Sequence, residues 1–288
     1  MTPSWKSYLH SLLILGRISN LPTVWSNCIA GWWLAEGDSI PLLLILCGAA
    51  TALYCGGMFL NDAMDFHFDR QFRPERPIPS GRIPLSHVRT WGWTLLSVGV
   101  VPLAFFSLNT LGFGIALALS IVVYDAFHKS ISWSPVLMGL CRFFLFLMAA
   151  STGPEGVTGF TLWAATVLAA YIVGLSYVAK KESQSGPLRY WPCLLLVAPF
   201  VLAWYANAAE FARPTHVMML AAGLWIVQSL RKTYGSNPPQ VGRTVSQLLS
   251  GIVLIDLLAL AGGPPHIAIA LIALFLVAQL FQRFIPAT

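Results

Sequence analysis

Long hydrophobic stretches follow one another along almost the whole chain, with short polar segments between them. A helix needs about 20 mostly apolar residues to cross a bilayer. The pattern therefore predicts an all-α, polytopic transmembrane helical bundle of nine or ten spans, folded as a single domain over residues 1–288. The ten predicted segments are residues 20–36, 41–64, 91–108, 111–127, 133–152, 157–179, 188–208, 215–230, 244–262 and 265–283.

The basic residues predict how these spans are oriented. Fifteen of the seventeen Lys and Arg residues lie near the chain ends or in every second loop, and the exceptions are Arg142 and Arg213. Because Lys and Arg concentrate in cytoplasmic loops, both termini are expected in the cytoplasm, with residues 65–90 forming a cytoplasmic cap loop. Residues 1–19 are expected to lie along the membrane interface as an amphipathic helix.

The composition agrees with a membrane protein and argues against other classes. The chain is 57% hydrophobic and 10% charged, whereas soluble proteins carry about 25% charged residues. The net charge of +6 comes from short loops, so nucleic-acid binding is not expected. The five cysteines form no C-x-x-C pair, which argues against a metal–thiolate site. We expect a multi-pass protein of the cytoplasmic (inner) membrane of a bacterium.

Three carboxylates end the second predicted span. At 100° per residue, Asp62, Asp65 and Asp69 fall within about 60° of one another on a helix, and Asn61 lies beside them. Like charges on one face repel each other, and the C-terminal end of a helix favours cations, so local stability does not explain the cluster. A hard divalent cation such as Mg²⁺ would explain it, and a solvated acidic face is the alternative.

An Arg- and Pro-rich stretch, RPERPIPSGRI, follows directly from Arg73 to Ile83. Its prolines keep the backbone out of a helix and restrict its freedom. The planar guanidinium groups of Arg73, Arg76 and Arg82 suit phosphate oxygens. An acidic face followed by such a loop predicts a site for a divalent metal and a diphosphate.

At these residues the sequence resembles the UbiA superfamily of intramembrane prenyltransferases, whose first signature reads N-D-x-x-D-x-x-x-D and precedes an Arg-Pro-rich loop. The opening LGRISNLPTVWSNCIAGWW and the element Tyr124-Asp125-Ala126 with Lys129 also resemble that family. The resemblance implies a helical bundle around a central cavity that opens to the cytoplasm. It also implies Mg²⁺ on Asp62, Asp65 and Asp69, and a prenyl diphosphate held by other side chains. The implied catalytic residues are Asp65, Asp69 and Lys129, and the implied substrate-binding residues are Asn61, Arg73, Arg76, Arg82, Tyr124, Tyr177, Lys180 and Lys181.

The chain departs from the family where a second acidic signature is expected. The sequence there is SYVAKKES, in which Glu182 is the one acidic residue and the one further metal ligand that the resemblance implies. Either Lys180 and Lys181 replace a second cation electrostatically, or catalysis has been lost. This combination of motifs is similar to the EboC-like branch of the family.

The resemblance implies an enzyme that moves an isoprenoid group from a prenyl diphosphate to a lipophilic acceptor after Mg²⁺-assisted ionisation. A terpene cyclase that quenches the cation internally would use the same acidic face. A non-catalytic carrier or assembly factor for an isoprenoid or other lipid is the third alternative. Within the spans, Arg142 and Asp256 are costly in lipid, so they are expected to face the interior or to pair with each other.

Overall fold

The computed structural model describes residues 5–180, 189–206 and 212–287. The regular secondary structure of this part of the chain is helical, without strands, which confirms the predicted all-α class. Its α-helices are α1 (Trp5–Leu15), α2 (Leu21–Leu34), α3 (Ile40–Met64), α4 (Phe66–Phe72), α5 (Leu85–Val100), α6 (Leu108–Phe127), α7 (Ser134–Ala150), α8 (Gly159–Lys180), α9 (Pro192–Leu195), α10 (Ala198–Ala206), α11 (Ala212–Tyr234), α12 (Val241–Ala259) and α13 (Pro265–Phe281).

Within the described residues every predicted span overlaps helix, but the helices differ in length. Among the described residues, five helices are long and apolar enough to cross a membrane: α3, α5 with the 3-10 turn that follows it, α6, α8 and α12. The first predicted span is shorter than expected, because α2 has 14 residues and follows a 3-10 turn over Ile18–Asn20. At about 1.5 Å per residue, α2 is about 21 Å long, less than the hydrocarbon core. The total of nine or ten spans stays a prediction.

The observed cap loop is shorter than the predicted residues 65–90. Residues Phe66–Phe72 form α4, and α5 begins at Leu85, six residues before the predicted boundary. The intervening stretch is free of helix, as its prolines predict. It is held against the protein by Ile78 and Ile83, which pack in a small core with Leu15 and Phe59.

Glycines allow the closest helix contacts. A Cβ atom on Gly56 of α3 would lie 2.9 Å from the backbone of Gly92 in α5, and one on Gly99 would lie 2.9 Å from the backbone of Leu53. Small residues let helix backbones approach where lipid removes the hydrophobic driving force for association. Gly31 serves α2 in the same way, because its Cβ would lie 2.6 Å from the carbonyl oxygen of Phe146 in α7.

The chain segments that follow α2 and α7 and the start of α13 meet at one end of the bundle. The backbone N–H of Glu155 donates to the carbonyl oxygen of Ala35 at 3.2 Å. The ring of Trp33 contacts that of His266 edge to face, with centroids 6.0 Å apart. The opposite end carries the acidic cluster and the opening of a large cavity.

Candidate active site

A cavity of about 580 Å³ runs into the bundle between α3, α6, α7 and α8. Each helix contributes side chains from one of its faces. On α6 these are Leu117, Ile121 and Tyr124, and His128 follows directly after the helix end; their spacing of three or four residues places them on one face. We call the charged residues at its cytoplasmic opening the mouth cluster: Asp65, Asp69, Arg73, Lys129 and Lys180. Deeper walls are mostly apolar, with Ala50, Leu117, Ile121, Met138, Leu145, Ile172, Leu175, Val245 and Leu249.

Asp65 is the most strongly paired carboxylate of the mouth cluster. It lies at the junction of α3 and α4, where Lys129 Nζ is 2.7 Å and His128 Nε2 is 3.5 Å from its oxygens. Burial alone raises the pKa of Asp65, but hydrogen bonds from His128 and Lys129 outweigh it and lower the pKa below its ordinary value. Burial lowers the pKa of His128, but its contact with Asp65 outweighs that and raises it. Asp65 is therefore ionised at neutral pH, as a cation ligand must be.

The other two carboxylates share one arginine. Arg76 Nη1 lies 3.2 Å from Asp62 and 3.1 Å from Asp69, so the cap loop is tied to both helices at the acidic face. Asp62 is also 3.6 Å from Arg17. Among the described residues that line the cavity, Asp65 and Asp69 are present and Asp62 is not. The predicted common face is thus divided, because Asp62 contacts Arg17 and Arg76 and does not line the cavity.

A fourth carboxylate, Asp125, lies on the cavity wall. Asn61 Nδ2 donates to Asp125 Oδ1 at 3.0 Å, so Asn61 positions this carboxylate and does not itself line the cavity among the described residues. Asp125 Oδ2 is buried and has no hydrogen-bond partner in the described part of the chain. Asp125 was not among the predicted site residues, although it belongs to the element Tyr124-Asp125-Ala126 that resembles the family.

Two lysines line the mouth of the cavity. Lys129 Nζ lies 3.9 Å from the centre of the Phe68 ring, a cation–π contact that holds it beside Asp65. Lys180, the last residue of α8, donates to the carbonyl oxygens of Ile131 and Ser132 at 3.2 and 2.9 Å. Lys180 therefore reaches across to the loop before α7 and lines the cavity. The predicted site residues Lys181 and Glu182 lie outside the described residues.

The remaining predicted substrate-binding residues divide between the cavity and its surroundings. Arg73 and Tyr124 line the cavity, and the ring of Tyr124 stacks on that of His128. Arg82 contacts Ser80 and the carbonyl oxygen of Glu75, and so folds the cap loop on itself. Tyr177 contacts the ring of Trp191 and is not among the described cavity residues.

The acidic cluster fits a hard cation by the type of its donors. In residues 5–180, 189–206 and 212–287, no three His, Cys, Asp or Glu side chains stand together as a ready-made metal site. The carboxylates are instead paired with basic side chains, and buried charges need such partners. A divalent cation would neutralise the carboxylate charge that Arg76 and Lys129 neutralise in this structure. Asp65 and Asp69 would offer it carboxylate oxygens at the cavity wall.

The chemistry available at this site follows from its two ends. The mouth cluster offers acidic oxygens for a cation and basic groups for phosphate oxygens. The walls below it offer apolar contacts for a hydrocarbon chain, together with the aromatic rings of Tyr54 and Tyr124. An amphipathic molecule with a diphosphate head and an isoprenoid tail matches both ends.

Comparisons with known proteins point to one family. Residues 23–182 match the model of the UbiA prenyltransferase family. Digeranylgeranylglyceryl phosphate synthase of Sulfurisphaera tokodaii is 31% identical over 122 residues, which are 42% of each protein, so this chain spans less than half the length of that relative. The enzyme of the same name from Methanocaldococcus jannaschii is 24% identical over 231 residues, which are 75% of this chain and 79% of that protein.

Solved structures share the whole architecture. A structure of digeranylgeranylglyceryl phosphate synthase superposes with a TM-score of 0.59 and 19% identity over 94% of this chain and 98% of that one. A UbiA homologue from Archaeoglobus fulgidus, bound to GPP and Mg²⁺, superposes with a TM-score of 0.55 and 13% identity over 95% of this chain and 97% of that one. At these identities the likeness shows the fold alone, but the family model covers more than half of the chain. The protein is therefore a multi-pass membrane protein that belongs to the UbiA prenyltransferase family.

Proposed function

We propose that the chain is an intramembrane prenyltransferase that moves an isoprenoid group from a prenyl diphosphate to a lipophilic acceptor. The observation that carries this proposal is the charged mouth cluster opening onto an apolar cavity of about 580 Å³. Family membership supports the reaction class, and the GPP and Mg²⁺ bound to the Archaeoglobus fulgidus homologue support the donor class and the cofactor. The proposed cellular location is the cytoplasmic membrane. A bacterial source stays a prediction, since the relatives described above are archaeal.

Each part of the mouth has a role in the proposed reaction. Asp65 and Asp69 would hold Mg²⁺, which when bound acts as a Lewis acid on the leaving diphosphate. Arg73 and Lys129 would bind the diphosphate oxygens and stabilise the charge that develops as the bond to the prenyl carbon breaks. The apolar walls would exclude water, and the ring of Tyr124, which lines the cavity, would stabilise the carbocation.

Lys180 supports the idea that a lysine replaces a second cation. It lines the same cavity as Asp65, Lys129 and Arg73. An ammonium group neutralises phosphate charge as a metal does, although without directional coordination. We propose that one Mg²⁺ and Lys180 together neutralise the departing diphosphate. Roles for Lys181 and Glu182 stay predictions.

Release of diphosphate from labelled donors tests the proposal. The purified protein is incubated with farnesyl, geranylgeranyl and longer prenyl diphosphates and Mg²⁺, with and without a membrane-lipid extract as the source of acceptor. We expect Mg²⁺-dependent release, and transfer of the label to an extract component. Asp65→Asn should lower release by at least about 100-fold, because it removes a charge that holds the cation and stabilises the transition state. Glu75→Gln makes the same change on an exposed loop residue and should leave release unchanged.

Other outcomes separate the alternatives. Release without extract, accompanied by a cyclic hydrocarbon, would identify a terpene cyclase. No release with any donor, together with retained diphosphate binding, would identify a carrier. Either result would overturn the proposed transfer reaction.

A further inference from the structure

Two pairs of side chains join the mouth ends of α3 and α6. Lys129 Nζ lies 2.7 Å from Asp65 at the mouth, and Asn61 Nδ2 donates to Asp125 Oδ1 at 3.0 Å. In each helix the second pair comes four residues before the first. Because both helices run toward the mouth, the second pair lies about one helical turn, or about 5.4 Å, deeper. Asp125 is therefore placed directly below the mouth cluster.

The position of Asp125 is the boundary between the charged and the apolar parts of the cavity. Leu117 and Ile121 line the cavity at eight and four residues before Asp125, so the three side chains share one face of α6. Lys129 follows Asp125 by four residues and belongs to the mouth cluster. A prenyl diphosphate with its head at the mouth and its tail along the apolar wall would place its reacting carbon at the level of Asp125.

One oxygen of Asp125 lacks a partner. Asp125 is 4% exposed, and its Oδ2 is buried without a hydrogen bond in the described part of the chain. Buried polar atoms in this state are costly and rare, so each needs an explanation. The side chain lines the cavity, where a ligand can supply the missing donor. The terminal torsion of an Asp side chain is soft, so the carboxylate can turn toward a ligand while Asn61 still donates to it.

The chemistry of the two substrates decides which of them supplies that donor. A diphosphate bears negative charge and acceptor oxygens, which a carboxylate repels, and an isoprenoid tail has no polar hydrogen. The lipophilic acceptor must therefore carry the donor group. A hydroxyl group has one O–H donor, and its oxygen becomes a stronger nucleophile when a base removes that proton.

We propose that Asp125 is a further catalytic residue, which binds a hydroxyl group of the acceptor and takes its proton as the prenyl group is transferred. This inference rests on the proposed function and identifies the acceptor as an alcohol or a phenol. The bond between the prenyl carbon and the diphosphate breaks, and its electron pair leaves with the diphosphate. A lone pair of the hydroxyl oxygen forms the new carbon–oxygen bond, and the O–H proton passes to Asp125 Oδ2.

Separate measurement of transfer and of ionisation tests this role. The full chain is incubated with Mg²⁺, a membrane-lipid extract and the labelled donor that releases diphosphate fastest, and diphosphate, prenylated lipid and prenyl alcohol are each quantified. In Asp125→Asn, transfer should fall by at least about 100-fold, as for the loss of other general bases. Release should fall far less, because ionisation does not use Asp125, and prenyl alcohol from capture by water should become the main product. The amide oxygen can still accept from Asn61, so the fold is retained.

Asp256→Asn removes another buried carboxylate and is the matched control. Asp256 is 2% exposed, accepts from Ser26 and Asn27 at 2.6 and 2.7 Å, and does not line the cavity among the described residues. Asn27 also accepts from Arg142 at 2.8 Å, so an amide bridges the two charges that the sequence places inside spans. Arg142 itself lines the cavity. The ratio of transfer to release should be unchanged in Asp256→Asn.

The other outcomes contradict the proposed base. If transfer and release fall together in Asp125→Asn, the residue acts on ionisation, and if neither falls, it is structural. The product of the unmodified protein gives a test that needs no variant. Mild acid cleaves an allylic ether, so it should free the label from the lipid product, and label that stays bound to carbon would overturn a hydroxyl nucleophile. A lack of any transfer by the unmodified protein would overturn the proposed function as well, so the two failures are distinguishable.

Discussion

At the cavity mouth, the residue that departs most from the family pattern is also well placed to act. Lys180 ends α8, where its ammonium group donates to two carbonyl oxygens of the loop before α7. These contacts hold the charge on the cavity wall that it shares with Asp65. A lysine that served only membrane topology would not need such anchoring, since positive charge anywhere in a cytoplasmic loop meets that requirement.

Lys180→Gln should weaken diphosphate binding even in saturating Mg²⁺, because one divalent cation does not neutralise a diphosphate trianion. The group is partly exposed, so solvent screening limits the expected loss to about 1 kcal/mol, or roughly fivefold. Binding of inorganic diphosphate measured by calorimetry checks this. Lys232→Gln removes the same charge near the end of α11, away from the described cavity lining, and should have no effect. Equal affinities of the two variants would show that Lys180 does not replace a cation.

Among the secondary-structure elements, the junction of α3 and α4 decides how the acidic motif is used. A continuous helix would present Asp62, Asp65 and Asp69 on one face. Across the junction, Asp62 and Asp69 share Arg76, whereas Asp65 pairs with Lys129. Arg76 of the cap loop can reach Asp62 and Asp69 because Ile78 and Ile83 anchor the loop in a small apolar core.

Close packing of α3 on α5 should depend on Gly56. In Gly56→Ala the new methyl group would meet the backbone of Gly92 and Leu96 at 2.9 Å, so the helices must separate. We expect the free energy of unfolding to fall by about 1–3 kcal/mol, as for other overpacked sites. Gly48→Ala on the same helix meets nothing within 4 Å and should be neutral or stabilising by up to about 1 kcal/mol. Denaturant titration in detergent compares the two, and equal stabilities would contradict the close contact.

For the whole molecule, the two ends of the bundle agree with the distribution of charge. Residues of the predicted outer loops meet at one end, as Ala35 and Glu155 show, whereas the mouth cluster gathers at the other. Tags inserted at Gly37 and Gly156 should therefore be accessible from the non-cytoplasmic side, and tags at Pro79 and Gly235 from the cytoplasm. Protease protection in sealed vesicles measures this, and one tag on the wrong side would exclude the ten-span arrangement.

The sequence by itself determined the helical class, the acidic motif and the family. Hydrophobic length and the spacing of Asp62, Asp65 and Asp69 are local properties of the chain, and local properties can be read without a fold. Only the tertiary structure decided that Asp65 pairs with Lys129, that Asn61 positions Asp125, and that Arg142 opens onto the cavity. Such contacts depend on which helices become neighbours and how they rotate, and a single sequence carries no direct record of either.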